Sequence, residues 1–338
     1  MTKLTRRHSL GLLGAAAAAP LAAPALAQGR KITVGALRFT SHAASFVGVE
    51  RGFFADAGLE VELKFFQAAQ PMAVAIASGD VDYAVTAISG GLVSLADKGA
   101  IKVIGGALSE EPGIDGQKIL ASDAAFQAGL TSPAALNGKT FAMTTAGSSF
   151  HYMGSKIAAA ESVTMSFRPL QKVGAIIGAL KTGQVDAWTI VPHIAKPLAG
   201  GGEVHIIGDV ADYLPNYQVT TVFTSAQNAA EERGMTEAFL RGFSAGAADF
   251  NEALVDKSLG QDAQDAMVAL IHKYVYTDRP LADAAPSIIN GAMRLNAGAA
   301  LNAASVGDQL AWFQSEGLVD ADITLDTLLD TSYVETLS

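Results

Sequence analysis

The residues of this chain best suited to chemistry are small, uncharged and grouped, and they suit binding more than bond-making. The fullest group lies between Lys139 and His151. An apolar run, Phe141-Ala142-Met143, gives way to Thr144, Thr145, Gly147, Ser148 and Ser149, after which Met153, Ile157 and Ala160 recur at helical spacing. A strand, a small polar turn and a helix start bring unpaired backbone N–H groups and hydroxyls to one point. Such a point holds an anionic or strongly polar group with no formal charge on the protein. Ser148 and Ser149 are equally good N-caps, so a purely structural use stands beside the binding one. Similar residues follow other apolar runs: Thr40, Ser41 and His42; Gln67; Thr86 and Ser89; Gln171; Trp188; His193. Each singly also serves as a cap or turn residue. Trp188 is suited either to stacking on a flat ligand or to core packing. His42, His151 and His193 all fall near these points, but their spacing is not a metal motif, and neither a metal nor a cofactor is expected.

These groups share one placement, the carboxyl end of an expected strand. Strands are expected at 31–37, 60–66, 83–85, 102–107, 118–121, 140–143, 166–170, 187–190 and 219–224, with helices between them from apolar periodicity. The sequence repeats a turn. Gly79-Asp80-Val81-Asp82 and Gly183-Gln184-Val185-Asp186 each follow a helix end and lead into a strand. Two similar α/β halves follow, each with its ligand loops at strand ends. Residues 30–119 with 224–338 are expected to form lobe 1 and residues 120–223 lobe 2. The crossings are assigned to Lys118–Ala121 and Val219–Thr224. Asp82 and Asp186 precede their strands and so should point away from the cleft. Beyond residue 224 the chain reads as helical.

The first 27 residues stand apart. Arg6-Arg7 precedes an apolar run from Leu10 to Ala19, broken by Pro20 and Pro24 and closed by Ala25-Leu26-Ala27. This is the pattern of a secretory leader cleaved after about Ala27, too short and too broken by proline to span a bilayer. The paired arginines point to the twin-arginine route, a Sec leader being the alternative. Removing the leader takes away Lys3, Arg6 and Arg7 and no acid, so the net charge of −10 becomes more negative still. That excludes nucleic acid and anionic membrane as expected partners. The sequence contains no cysteine, which excludes disulfides, thiolate metal sites and a cysteine nucleophile. It also leaves no cysteine for a lipid anchor, so a free periplasmic protein is expected.

Four stretches carry a resemblance: Val49 to Val61; the two Gly-x-Val-Asp turns; Leu136-Asn137-Gly138-Lys139 with Gly147-Ser148-Ser149; and Gln314 to Val319 followed by Asp326 to Tyr333. In this order they resemble the periplasmic substrate-binding proteins of ABC importers of the nitrate, sulfonate, taurine and thiamine-pyrimidine group. The resemblance implies a type II periplasmic-binding-protein fold: two α/β lobes, two crossing hinge strands and a ligand cleft between them. It implies a permease and an ATPase as partners. The expected ligand is a small organic anion, a sulfonate or carboxylate, with Trp188 and Phe150 as flat walls. The alternative is a neutral pyrimidine held by Gln67, Gln171 and the histidines. A pyridoxal-dependent pyrimidine synthase shares this fold, but its cysteine-rich motif is missing here, and no P-loop is present. A receptor that passes its ligand to a sensor is a further reading.

Overall fold

A computed structural model describes residues 29–337. The expected leader, 1–27, lies outside the described residues.

The chain begins with β1 (Arg30–Leu37), a 3-10 turn at Thr40–His42, α1 (Ala43–Glu50) and α2 (Phe53–Asp56). It continues with β2 (Leu59–Phe66), α3 (Ala69–Ala77), β3 (Tyr83–Thr86), α4 (Gly90–Asp97) and β4 (Ile101–Ser109). β2 alternates acids and Lys64 with Leu59, Val61, Leu63 and Phe65, and only the apolar set turns inward. β1 is buried on both faces from Val34 onward, as a central strand should be.

After a first crossing the chain forms β5 (Lys118–Ser122), α5 (Asp123–Gln127), β6 (Thr140–Met143), α6 (Ser149–Glu161) and β7 (Ser166–Pro169). It goes on through α7 (Val173–Lys181), β8 (Ala187–Ile190), α8 (Pro192–Gly200) and β9 (Val204–Asp209). A return crossing leads to β10 (Gln218–Ser225). Helices follow: α9 (Ala226–Glu231), α10 (Arg233–Phe250), α11 (Gln261–His272), α12 (Leu281–Asn290), α13 (Ala303–Ser315) and α14 (Leu325–Leu328).

Two five-stranded sheets result, ordered β2-β1-β3-β10-β4 and β7-β6-β8-β5-β9. They match position by position. In each, the first three strands are parallel and the fourth runs antiparallel to both neighbours. That fourth strand, β10 or β5, is the one delivered by a crossing.

The repeated turn does the same work in both sheets. Gly79 and Gly183 take the left-handed conformation that ends a helix cheaply only at glycine. Asp82 Oδ2 accepts the Thr33 N–H at 2.7 Å, and Asp186 Oδ2 accepts the Thr140 N–H at 2.7 Å. Each carboxylate thus fastens the N-terminal half of β1 or of β6, at the end remote from the strand-end loops, as its position in the sequence implies.

The expected lobe limits shift. Lys118 and Ile119, read as lobe 1, pair with Ile190 and Thr189 in the second sheet. Gln218 to Phe223, read as the end of lobe 2, pair with β3 and β4 in the first. The chain therefore passes between sheets at 110–117 and 210–217. These segments run side by side: Glu110 N–H donates to Tyr217 O at 2.8 Å and Val210 N–H to Gln117 O at 2.9 Å. β-branched composition marks β10 as a strand but does not say which sheet it joins, since pairing is a long-range choice.

Candidate functional site

The strand-end loops of both lobes converge on one cavity of about 50 Å³. At roughly 10–15 Å³ for each water-sized particle, that is space for a few of them, a small ligand or a polar head. From the first lobe come Ser41, His42 and Thr86, with Leu37 and Phe39 as apolar wall; from the second, Thr144, Ser149 and Phe150, with Ile190 and Val191. Gln117 and Thr220 contribute from the crossing segment and from β10. No Asp, Glu, Lys or Arg is among the lining residues.

The lobes touch around this space. Gly90 N–H donates to Gly147 O at 2.9 Å. The Phe39 ring meets His193 edge-on, with centroids 5.3 Å apart, and the Tyr276 hydroxyl donates to His193 O. On another side Tyr152, on α6, donates its hydroxyl to Asp308 of α13 at 2.5 Å, and Lys196, on α8, reaches Asn290 O at 2.6 Å.

His42 and His193 are both buried, and burial holds each down to about 3, so both are neutral. They differ in partners. His42 Nδ1 accepts the Leu37 N–H at 3.3 Å, which leaves the proton on Nε2. His193 has no partner at either ring nitrogen.

Other buried polar atoms nearby also lack partners: Thr40 Oγ1, Ser148 Oγ, Gln117 Nε2 and Thr220 Oγ1. Folded proteins leave few such atoms unsatisfied, and each asks for an explanation, a water or ligand being the ordinary one. Ser148 stands at the N-cap position of α6, yet its side chain makes no capping bond. The capping use that its sequence position suggests is therefore not the one it has.

Of the residues singled out from sequence, Ser41, His42, Thr86, Thr144 and Ser149 line the cavity, and Thr40, Ser148 and His193 are buried, with orphan polar atoms. Thr145 is half-buried in the turn, where its carbonyl accepts the Ser148 N–H. Ser89 is a structural cap: its hydroxyl accepts the Leu92 N–H and donates to Gln70. Gln67 and Gln171 are exposed and do not line the cavity. Gln171 sits at a positive φ, and its N–H is used by Thr144 O. Trp188 is fully buried in β8 with its ring against Phe150, so it supports the wall from behind and is not itself the wall. His151 accepts the Gly147 N–H and packs on Phe167 and Trp312. Gln117 and Thr220 carry no sequence signal of this kind. Neither follows a strand end in the pattern used, and only the path of the crossings brings them to the floor of the site.

Among the described residues no group of three or more His, Cys, Asp or Glu is placed to hold a metal ion, and no helix is long and apolar enough to cross a membrane.

Comparison with solved structures gives the same fold repeatedly. The alkanesulfonate-binding protein SsuA from Xanthomonas axonopodis pv. citri, bound to MOPS, is 14% identical, with a TM-score of 0.69 over 90% of this chain and 100% of that one. The periplasmic nitrate-binding protein NrtA from Synechocystis PCC 6803 is 13% identical, with a TM-score of 0.69 over 89% and 84%. DszB, solved as a mutant in complex with biphenyl-2-sulfinic acid, is 13% identical, with a TM-score of 0.55 over 90% and 97%. These likenesses show the two-lobed periplasmic-binding-protein fold. No curated protein sequence matches the chain. The NMT1/THI5-like family profile matches residues 39–253, well over half of the chain, and the protein belongs to that family.

Proposed function

We propose that the protein is the periplasmic substrate-binding component of an ABC importer and that it captures a small organic anion, a sulfonate or carboxylate, by closure of its lobes. One observation carries this reading: helix starts from both lobes, at Ser41–His42 and at Ser149, end on the same cavity, and no carboxylate lines it. A helix start presents N–H donors and about half a positive charge, and two of them suit one anion. The unpartnered hydroxyl of Ser148 adds a donor beside the second. Structural neighbours that bind an alkanesulfonate and nitrate support the class. The leader pattern supports export, and a permease and ATPase would be the partners. The chain acts as a binder without turnover; it has no cysteine nucleophile, and both histidines at the site lack a carboxylate partner.

A second reading, a neutral pyrimidine-like ring, draws on the same cavity: its lining has no cationic side chain, its histidines are uncharged, and Phe39 and Phe150 offer flat walls.

A thermal-shift panel of ethanesulfonate, benzenesulfonate, benzoate and aminopyrimidines decides between them. The anions should raise the melting temperature, since a ligand of the folded state alone stabilises it. Small-angle scattering should show a more compact particle with the same ligands. Stabilisation by the pyrimidines alone would replace the first reading with the second.

A further inference from the structure

The first crossing segment is tied end to end by one side chain. Glu110 Oε1 accepts the Gln117 N–H at 3.1 Å. Its other oxygen lies so close to Gly116 that a Cβ there would collide with it, and that oxygen has no hydrogen-bond partner. Glu110 is 1% exposed and Gln117 2%. Gln117 lines the ligand cavity, and its Nε2 is also unpartnered. A buried carboxyl therefore stands behind a buried amide, and ligand space lies in front.

We infer that Gln117 reads the ligand from the hinge and that Glu110, as its positioning residue, takes up a proton when an anion is captured. The inference rests on the anionic reading of the site. An ionised carboxylate only accepts hydrogen bonds. It draws the Gln117 NH₂ backward and leaves the amide oxygen facing the cavity, an acceptor turned toward an anion. A protonated Glu110 donates its O–H to that oxygen and frees the NH₂ to face the ligand. The proton comes from solvent and also offsets the arriving charge.

No other nearby group can supply that charge. On β5, Lys118 is committed to Asp115 at 2.6 Å and to Asp209 of β9. Across the return crossing, the Tyr217 phenol is buried and pushed up by burial and by Glu110, so it stays neutral. Behind, Arg294 is held by Asp256 and Glu111. His42 and His193, held down by burial, remain neutral. Burial pushes Glu110 up to about 7, with the Gln117 amide pulling it part of the way back, so uptake falls in the neutral range.

Titration calorimetry with ethanesulfonate, run between pH 6 and 9 in two buffers of different ionisation enthalpy, tests this on the full chain. Proton uptake should rise toward about one per ligand above neutrality, and Kd should weaken about tenfold per pH unit there. Glu110→Gln, shown to be folded by circular dichroism, should bind with a pH-independent Kd and no uptake, while Gln117→Ala should weaken binding at every pH. Binding with no proton uptake and a flat Kd in the wild type, or a slope that survives in Glu110→Gln, overturns the inference and leaves the anionic reading standing. The wild-type proton count stands even if the variant does not fold. If ethanesulfonate and the other anions fail to bind at any pH, the anionic reading falls, and this inference with it.

Discussion

The helix start at Thr40–His42 lies beneath other helices, whereas the matching start of α6 in the second lobe is half open. In the first lobe α1 is covered by α10 and α11, and α10 approaches so closely that Gly246 faces the backbone of Ala44 and Gly48. In the second, the atoms nearest Gly154 of α6 belong to the rings of Phe141 and Phe167. The polar groups differ in the same sense. The His42 ring is bonded to Leu37, but the His193 ring is bonded to nothing; Ser89 caps α4, but the Ser148 side chain caps nothing. Thr40, Ser45 of α1 and Thr220 of β10 are exceptions on the first side, with orphan hydroxyls. Two sheets of one topology thus differ at these paired histidines and serines, bonded in the first lobe and open in the second. On the function proposed above, the open pair would complete its hydrogen bonds on the ligand.

Acid gives the largest test of this contrast. Both histidines have folded values near 3 against 6.5 when unfolded. A lowered histidine contributes stability that is full above the unfolded value and lost as the pH falls toward the folded one. By pH 4.5 each should cost about 2–3 kcal/mol. Glu110 runs the other way, being raised: its contribution is full below the ordinary carboxylate range and is lost as pH rises through about 7. The difference between wild type and His193→Leu cancels Glu110, and urea midpoints at pH 7 and 4.5 should show the variant losing less in acid. An equal loss in both would mean that His193 is not held buried in solution. Next in size, Gly246→Val should cost about 3 kcal/mol because backbone cannot move aside, while Gly154→Ala should cost about 1 kcal/mol as the two rings tilt. At neutral pH, His42→Leu orphans the Leu37 N–H and should cost about 1–3 kcal/mol; His193→Leu removes two unsatisfied atoms and should be neutral or stabilising. Smallest, Ser89→Ala should cost about 1 kcal/mol as a lost cap, and Ser148→Ala less than about 0.5 kcal/mol. If the two serines cost the same, the lobes do not differ in the way described.

Much of the fold is legible in the amino-acid sequence. Residue type and period locate the strands of both sheets except β9, at Val204–Asp209, and the two Gly-x-Val-Asp turns announce the duplication. Strand direction suffices to aim Asp82 and Asp186 away from the site. What stays hidden depends on distant partners. Gln67 and Gln171 have the right chemistry at the right strand ends, but both are exposed and neither lines the cavity. Trp188 alternates to the core face of β8, a parity that a four-residue strand is too short to declare. Gln117, within a Gly-Ile-Asp-Gly-Gln run, reads as ordinary loop, and its role exists only because the chain changes sheets there.

The position of β10 also bears on the order in which the molecule is made. Sheet two is contiguous, Lys118 to Asp209, and can close as soon as that stretch has been synthesised. Sheet one cannot: β10 lies between β3 and β4, so the facing edges of those two strands have no ladder partner until residues 218–225 arrive. The first lobe begins first and finishes last. For all that interval it carries two open strand edges of the kind that pair with other chains, and these call for a chaperone or for dilution.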